Sequence, residues 1–125
     1  MRLIPLYVGL GGGIGALVRF AIEGWALTWT GGIVPWGTLA VNLIGSTLLG
    51  ILLGVFGRVQ FSPRLRALLT AGFCGGMTTF STFSYQVVAL VSGGSYTTAA
   101  AYAAGSITVC TFGVAVGHAV AAARG

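Results

Sequence analysis

The chain has 125 residues, of which 56% are apolar and only 6% are charged, against roughly 25% charged in an ordinary soluble domain. The cations are six Arg, the only acid is Glu23, the formal net charge is +5, and Lys and Asp are absent. So few charges cannot cover a soluble surface, which excludes a soluble enzyme, a secreted disulfide domain and a disordered chain.

Residues 24–57 and 67–123 carry no charge at all. A bilayer-crossing helix needs about 20 mostly apolar residues, so the first gap holds one span and the second holds two. Residues 3–18 begin another, ending near Arg19. The pattern predicts an all-α integral membrane protein: one transmembrane domain over residues 1–125, with four helices at about 3–22, 36–56, 63–91 and 96–122.

The first span follows Arg2. A loop from Glu23 to Pro35 comes next, and Trp25, Trp29 and Trp36 mark a membrane boundary, where Trp is enriched. The second span contains Asn42, the only Asn in the chain. Residues 57–63 form a turn in which Ser62 caps and Pro63 opens the third helix, the positions these residue types favour. The third span is longer than a bilayer requires. It holds Gly72, Gly75 and Gly76, followed by the run Thr78-Thr79-Phe80-Ser81-Thr82-Phe83-Ser84, and a break is expected near residues 75–80. The turn Ser92-Gly93-Gly94-Ser95 leads into the fourth span.

Glycine pairs four apart occur at Gly9/Gly13, Gly11/Gly15, Gly50/Gly54, Gly72/Gly76 and Gly113/Gly117. This spacing lets helix backbones approach closely in lipid. Four short spans enclose little volume, so an oligomer is expected. Gly11-Gly12-Gly13-Ile14-Gly15-Ala16 has the form of a dinucleotide fingerprint but lacks the sheet and the downstream acid such a site needs. Arg64 and Arg66 are the only close basic pair, too little for nucleic acid, and they suit lipid headgroups or a vestibule. Cys74 and Cys110 sit inside spans with no metal-ligand spacing, and His118 is alone near the end of the fourth.

Backbone freed by a helix break at membrane depth is tolerated only inside protein or along a cavity. Its carbonyls suit a small cation, and the following helix N-terminus suits an anion. Phe80 and Phe83 share one face of that helix, and aromatic edges carry partial positive charge. Core packing of both rings is the competing reading. Asn42 serves either an interhelical hydrogen bond or an aqueous pathway. Tyr102, Ser106 and Cys110 make one polar stripe on the fourth span, facing a pathway or another helix. Arg19 snorkels to the interface, anchors a buried network or draws anions into a vestibule.

Three blocks carry a resemblance across essentially the whole chain: Gly12 to Ala16 with Arg19, Gly37 to Ser46, and Gly72 to Ser84. On these the chain resembles the CrcB/Fluc fluoride channel family. The resemblance implies an antiparallel, dual-topology dimer with a broken third helix and two fluoride pores along the subunit interface. It implies passive fluoride export across the cell membrane, the inner membrane in a bacterium, and relief of fluoride toxicity without enzymatic activity. Asn42 matches the pore amide, and Phe80 and Phe83 match the two pore phenylalanines. Ser81, Thr82, Tyr102, Ser106 and Arg19 belong to the implied fluoride path. Gly75 and Thr78 match residues whose backbone carbonyls hold a structural sodium ion at the dimer centre.

Many relatives carry Glu where this chain has Gln86, and Cys110 and Val114 make the far end of the polar track less polar. Arg2, Arg58, Arg64, Arg66 and Arg124 fall on one side of a four-span topology and Arg19 on the other. That bias favours cytoplasmic termini and opposes the mixed orientations an antiparallel homodimer needs, so pairing with an oppositely oriented homologue is the alternative. Two other readings compete. A small proton-coupled multidrug exporter needs a membrane-buried carboxylate, for which Glu23 is the sole candidate. A non-transporting assembly subunit would use Asn42 and the Phe pair for packing alone.

Overall fold

The computed structural model describes residues 2–124; Met1 and Gly125, the ends of the expected domain, lie outside the described residues. The described chain is helical throughout, with α1 (Ile4–Thr30), α2 (Trp36–Phe56), α3 (Pro63–Ala67), α4 (Gly75–Met77), α5 (Phe80–Ser92) and α6 (Tyr96–Ala123). A π-helical stretch, Leu68–Cys74, joins α3 to α4 without a turn.

The expected loop from Glu23 to Pro35 is corrected: α1 continues to Thr30. No proline intervenes and the helix runs through Gly24 to Gly31, which adopts φ +49° and returns its N–H to Leu27 O. Glu23 lies one turn beyond Arg19 and pairs with it at 3.7 Å, so the helix runs through both charges. Trp25 and Trp29 are therefore helical, packed edge to face with ring centroids 5.9 Å apart. At the start of α3, Ser62 Oγ accepts from Leu65 N at 3.2 Å, with Pro63 in the first turn. That cap satisfies a helix N–H that has no partner within the helix.

The helices pack through glycine. α2 lies along α6, where a Cβ on Gly54 would sit 2.7 Å from His118 O and one on Gly117 would sit 2.6 Å from Thr47 O. α1 lies along the π-helical stretch and α4, with Gly11 against Leu68 and Gly72, Gly15 against Phe73, and Gly76 against Gly12. Gly9 and Gly13 share the same spacing yet face open space, so the motif alone does not identify a buried face.

Few side chains are buried; Val41, Cys74, Met77, Phe83, Leu90 and Tyr102 are among them, and of these Val41 is fully enclosed. Large apolar residues such as Leu17, Phe20 and Phe112 point outward, the arrangement expected where the solvent is lipid. Among the described residues, α1, α2 and α6 are long and apolar enough to cross a membrane. This is a multi-pass membrane protein, and the segment from α3 to α5 is a broken helix.

The start of α1, the α2–α3 connection and the end of α6 meet at one end of the bundle. Ile4 and Tyr7 line a cavity with Ser62 and Arg64, and the Arg58 guanidinium donates to the Arg124 carbonyl.

Candidate functional site

The break occupies Thr78 and Thr79, both in extended conformation, where glycines end and hydroxyl residues begin. Asn42, half-buried on α2, faces it. Its side-chain oxygen accepts from Thr79 N at 2.7 Å, and its side-chain nitrogen donates to Thr79 O at 3.1 Å. One amide thus satisfies both backbone groups of Thr79, as a neighbouring strand would. Thr79 also caps α5, its Oγ1 accepting from Thr82 N at 3.2 Å. Thr78 folds back, donating both its N–H (3.0 Å) and its hydroxyl (2.9 Å) to Cys74 O.

This arrangement reassigns the carbonyls of α4. In a continuous helix Thr79 N–H would close onto Gly75 O; here it goes to Asn42. Gly76 O instead accepts from Arg19 Nε at 3.2 Å. Among the described residues no cluster of His, Cys, Asp and Glu suits a metal. The carbonyls of Cys74, Gly76 and Thr79 already accept hydrogen bonds, whereas the Thr79 N–H that a continuous helix would aim at Gly75 O is taken by Asn42. Hard, weakly selective carbonyl ligands suit sodium, so Gly75 and Thr78 fit the expected group in kind.

A groove of about 290 Å³ opens beside the break, lined by Asn42, Ser46, Thr79, Phe80, Phe83, Ser106 and Cys110 among others. Its surface combines one amide, several hydroxyls, a thiol and two aromatic rings. Phe80 and Phe83 have centroids 5.5 Å apart but differ in burial: Phe83 is enclosed, whereas Phe80 is 75% exposed. Ser106 is only 6% exposed, and its Oγ has no hydrogen-bond partner. A buried hydroxyl left unpaired costs free energy, and this one borders the groove.

The other expected path residues do not all reach the groove. Ser81 is exposed beside Thr79 Oγ1 at 3.2 Å, and Thr82 also contacts Thr79 Oγ1 at 3.2 Å. Tyr102 lines an adjoining apolar cavity that shares Ser106 as a wall, and its ring lies 5.3 Å from that of Phe83. Arg19 stands outside the groove, anchored between Gly76 O and Glu23.

Sequence reasoning missed a polar series that crosses the bundle. Tyr102 OH donates to Gln86 Oε1 at 2.7 Å, Gln86 Nε2 donates to Thr38 Oγ1 at 2.7 Å, and Thr38 donates to Glu23 Oε1 at 3.1 Å. Thr38 is 2% exposed. The only signal for this series was that each member is a polar residue in an apolar stretch. Their meeting depends on helix register across α1, α2, α5 and α6. Glu23 contacts both Arg19 and Thr38, so the only carboxylate of the chain is part of this series.

Comparison with known proteins identifies the family. Residues 6–118 match the family described as CrcB-like protein, Camphor Resistance (CrcB). A protein of Hahella chejuensis named fluoride-specific ion channel FluC is 42% identical over 116 residues, covering 92% of this chain and 91% of that protein. Proteins of the same name from Syntrophotalea carbinolica and Geotalea daltonii are 44% and 40% identical, covering 83% and 95% of this chain and 85% and 95% of their own lengths. With a family match over nearly the whole chain and relatives of equal length, the protein belongs to the CrcB family.

Proposed function

We propose that this chain forms a fluoride channel that lets fluoride leave the cell passively and so lowers its cytoplasmic toxicity. The observation that carries the proposal is the buried, unpartnered Ser106 hydroxyl in a groove walled by Asn42 and the Phe80–Phe83 pair. Fluoride is small and strongly hydrated, so a narrow path must replace its water with donors. The hydroxyl of Ser106, the second N–H of the Asn42 amide and positive ring edges supply them without an excess of fixed charge that would trap the ion. The fluoride-specific names of the relatives support the choice of anion.

The functional unit is an antiparallel dimer in the cell membrane, the inner membrane of a bacterium. Phe80, exposed beside the groove, is where a second subunit completes the wall. Gly75 and Thr78 of each subunit would offer backbone carbonyls to a structural sodium ion on the shared axis. Such a cation supplies a fixed positive charge that draws anions into a low-dielectric region. Asn42 contributes by diverting the Thr79 N–H away from Gly75 O. The second subunit is another copy or an oppositely oriented homologue.

Efflux from proteoliposomes, read with a fluoride electrode and repeated for chloride, tests the proposal. Rapid fluoride loss with chloride retained is the expected result. Fluoride retained both by this chain alone and by this chain combined with an oppositely oriented homologue would overturn it.

A further inference from the structure

Glu23 is the only acidic residue of the chain, and the structure brings its carboxylate into contact with two different helices. Oε2 faces Arg19 Nη1 at 3.7 Å on α1, and Oε1 accepts from Thr38 Oγ1 at 3.1 Å on α2. A carboxylate only accepts, and a threonine hydroxyl has a single proton. Thr38 must therefore donate to Glu23 and can only accept from its other neighbour. That neighbour is Gln86 at 2.7 Å, so the amide nitrogen must face Thr38. The amide oxygen is left for Tyr102, whose hydroxyl donates to it at 2.7 Å. Every donor in the series from Tyr102 to Glu23 points the same way, and the one carboxylate sets that direction.

Both ends of this arrangement reach the groove or the break. Tyr102 is 5% exposed, and its ring packs on Phe83, which lines the groove with Phe80. On the other side, Arg19 held by Glu23 donates to Gly76 O on α4. Polar series buried in a low dielectric hold their geometry strongly when every member is satisfied.

We infer that Glu23 is a positioning residue for the groove: its carboxylate orients the Gln86 amide and so fixes Tyr102 against Phe83, while holding Arg19 on the broken helix. The inference deepens the fluoride-channel reading, on which only its flux readout rests.

Exchanging the two groups tests it. Gln86→Glu alone sets two carboxylates against one Thr38 proton. Glu23→Gln alone replaces the obligate acceptor with an amide that can accept or donate, so the direction of the series is no longer fixed. In the double variant E23Q/Q86E, the introduced carboxylate on α5 takes the protons of Thr38 and Tyr102, and the introduced amide on α1 donates to Thr38. Each single variant is expected to slow fluoride efflux about ten-fold, the equivalent of one charged hydrogen bond, and to lower the melting temperature in detergent. The exchanged pair is expected to recover most of both. A contribution from bulk alone predicts additive losses in the double variant. Unimpaired Gln86→Glu, or an exchanged pair no better than the worse single variant, would overturn the inference. If the unsubstituted protein passes no fluoride, either alone or combined with an oppositely oriented homologue, the channel reading fails, and the melting temperatures still decide this one.

Discussion

Asn42 illustrates how one side chain serves both stability and a pathway. Its amide pairs with both backbone groups of Thr79 and still borders the groove. Asn42→Ala leaves the Thr79 N–H and C=O unpaired, at about 1–3 kcal/mol for each. The expected outcome is a lower melting temperature together with loss of fluoride efflux. Ser106 should behave differently, because its hydroxyl has no partner to lose. Ser106→Ala removes a buried unsatisfied group, so thermal stability should hold or rise while fluoride efflux falls several-fold. Melting curves and electrode traces on the same preparation check that opposition. A fall in both would mean the hydroxyl supports packing instead.

At the scale of helices, backbone approach rather than side-chain bulk holds the bundle together. Gly54 and Gly117 sit within van der Waals reach of the facing backbone. Gly117→Ala would set a methyl group 2.6 Å from Thr47 O and force α6 away from α2, an overpacking cost of about 1–3 kcal/mol. Gly13 has nothing within 4 Å, and Gly13→Ala should leave the monomer's melting temperature unchanged or raise it through helix propensity. Thermal unfolding of the two variants separates the packed face of α1 and α6 from the open one. The π-helical stretch packs along α1 and is separated from the break by the single turn of α4, in keeping with the frequent placement of such turns at functional sites. Nothing in composition or spacing signalled it, because it depends on how the α3–α4 backbone settles against Gly11 and Gly15.

For the whole molecule, one end of the bundle gathers Arg58, Arg64 and Arg124 near the start of α1 and the end of α6, whereas Arg19 pairs with Glu23. Reporter fusions at the C-terminus are expected to map it to the cytoplasm. A single orientation in cells points to pairing with an opposite homologue, and equal populations of both point to a dual-topology homodimer. Phe80 is exposed although it lines the groove. A Phe80→Cys variant should therefore form a covalent dimer with a short bifunctional thiol reagent, whereas Phe83→Cys should resist it; gel mobility reads the difference against Cys74 and Cys110 controls.

The sequence by itself determined the membrane class, the helical fold and the position of the break. Each follows from local properties that act along the chain: unbroken apolar length, glycine followed by hydroxyl residues, and a Ser-Pro helix start. Only the tertiary structure decided that α1 carries Glu23 into the bundle, that Asn42 takes both backbone groups of Thr79, that Arg19 turns to Gly76, and that Thr38 and Gln86 link Tyr102 to the single acid. Hydrogen-bond partners are set by the register of helices packed glycine to glycine, a relation between residues distant in sequence that no local pattern encodes.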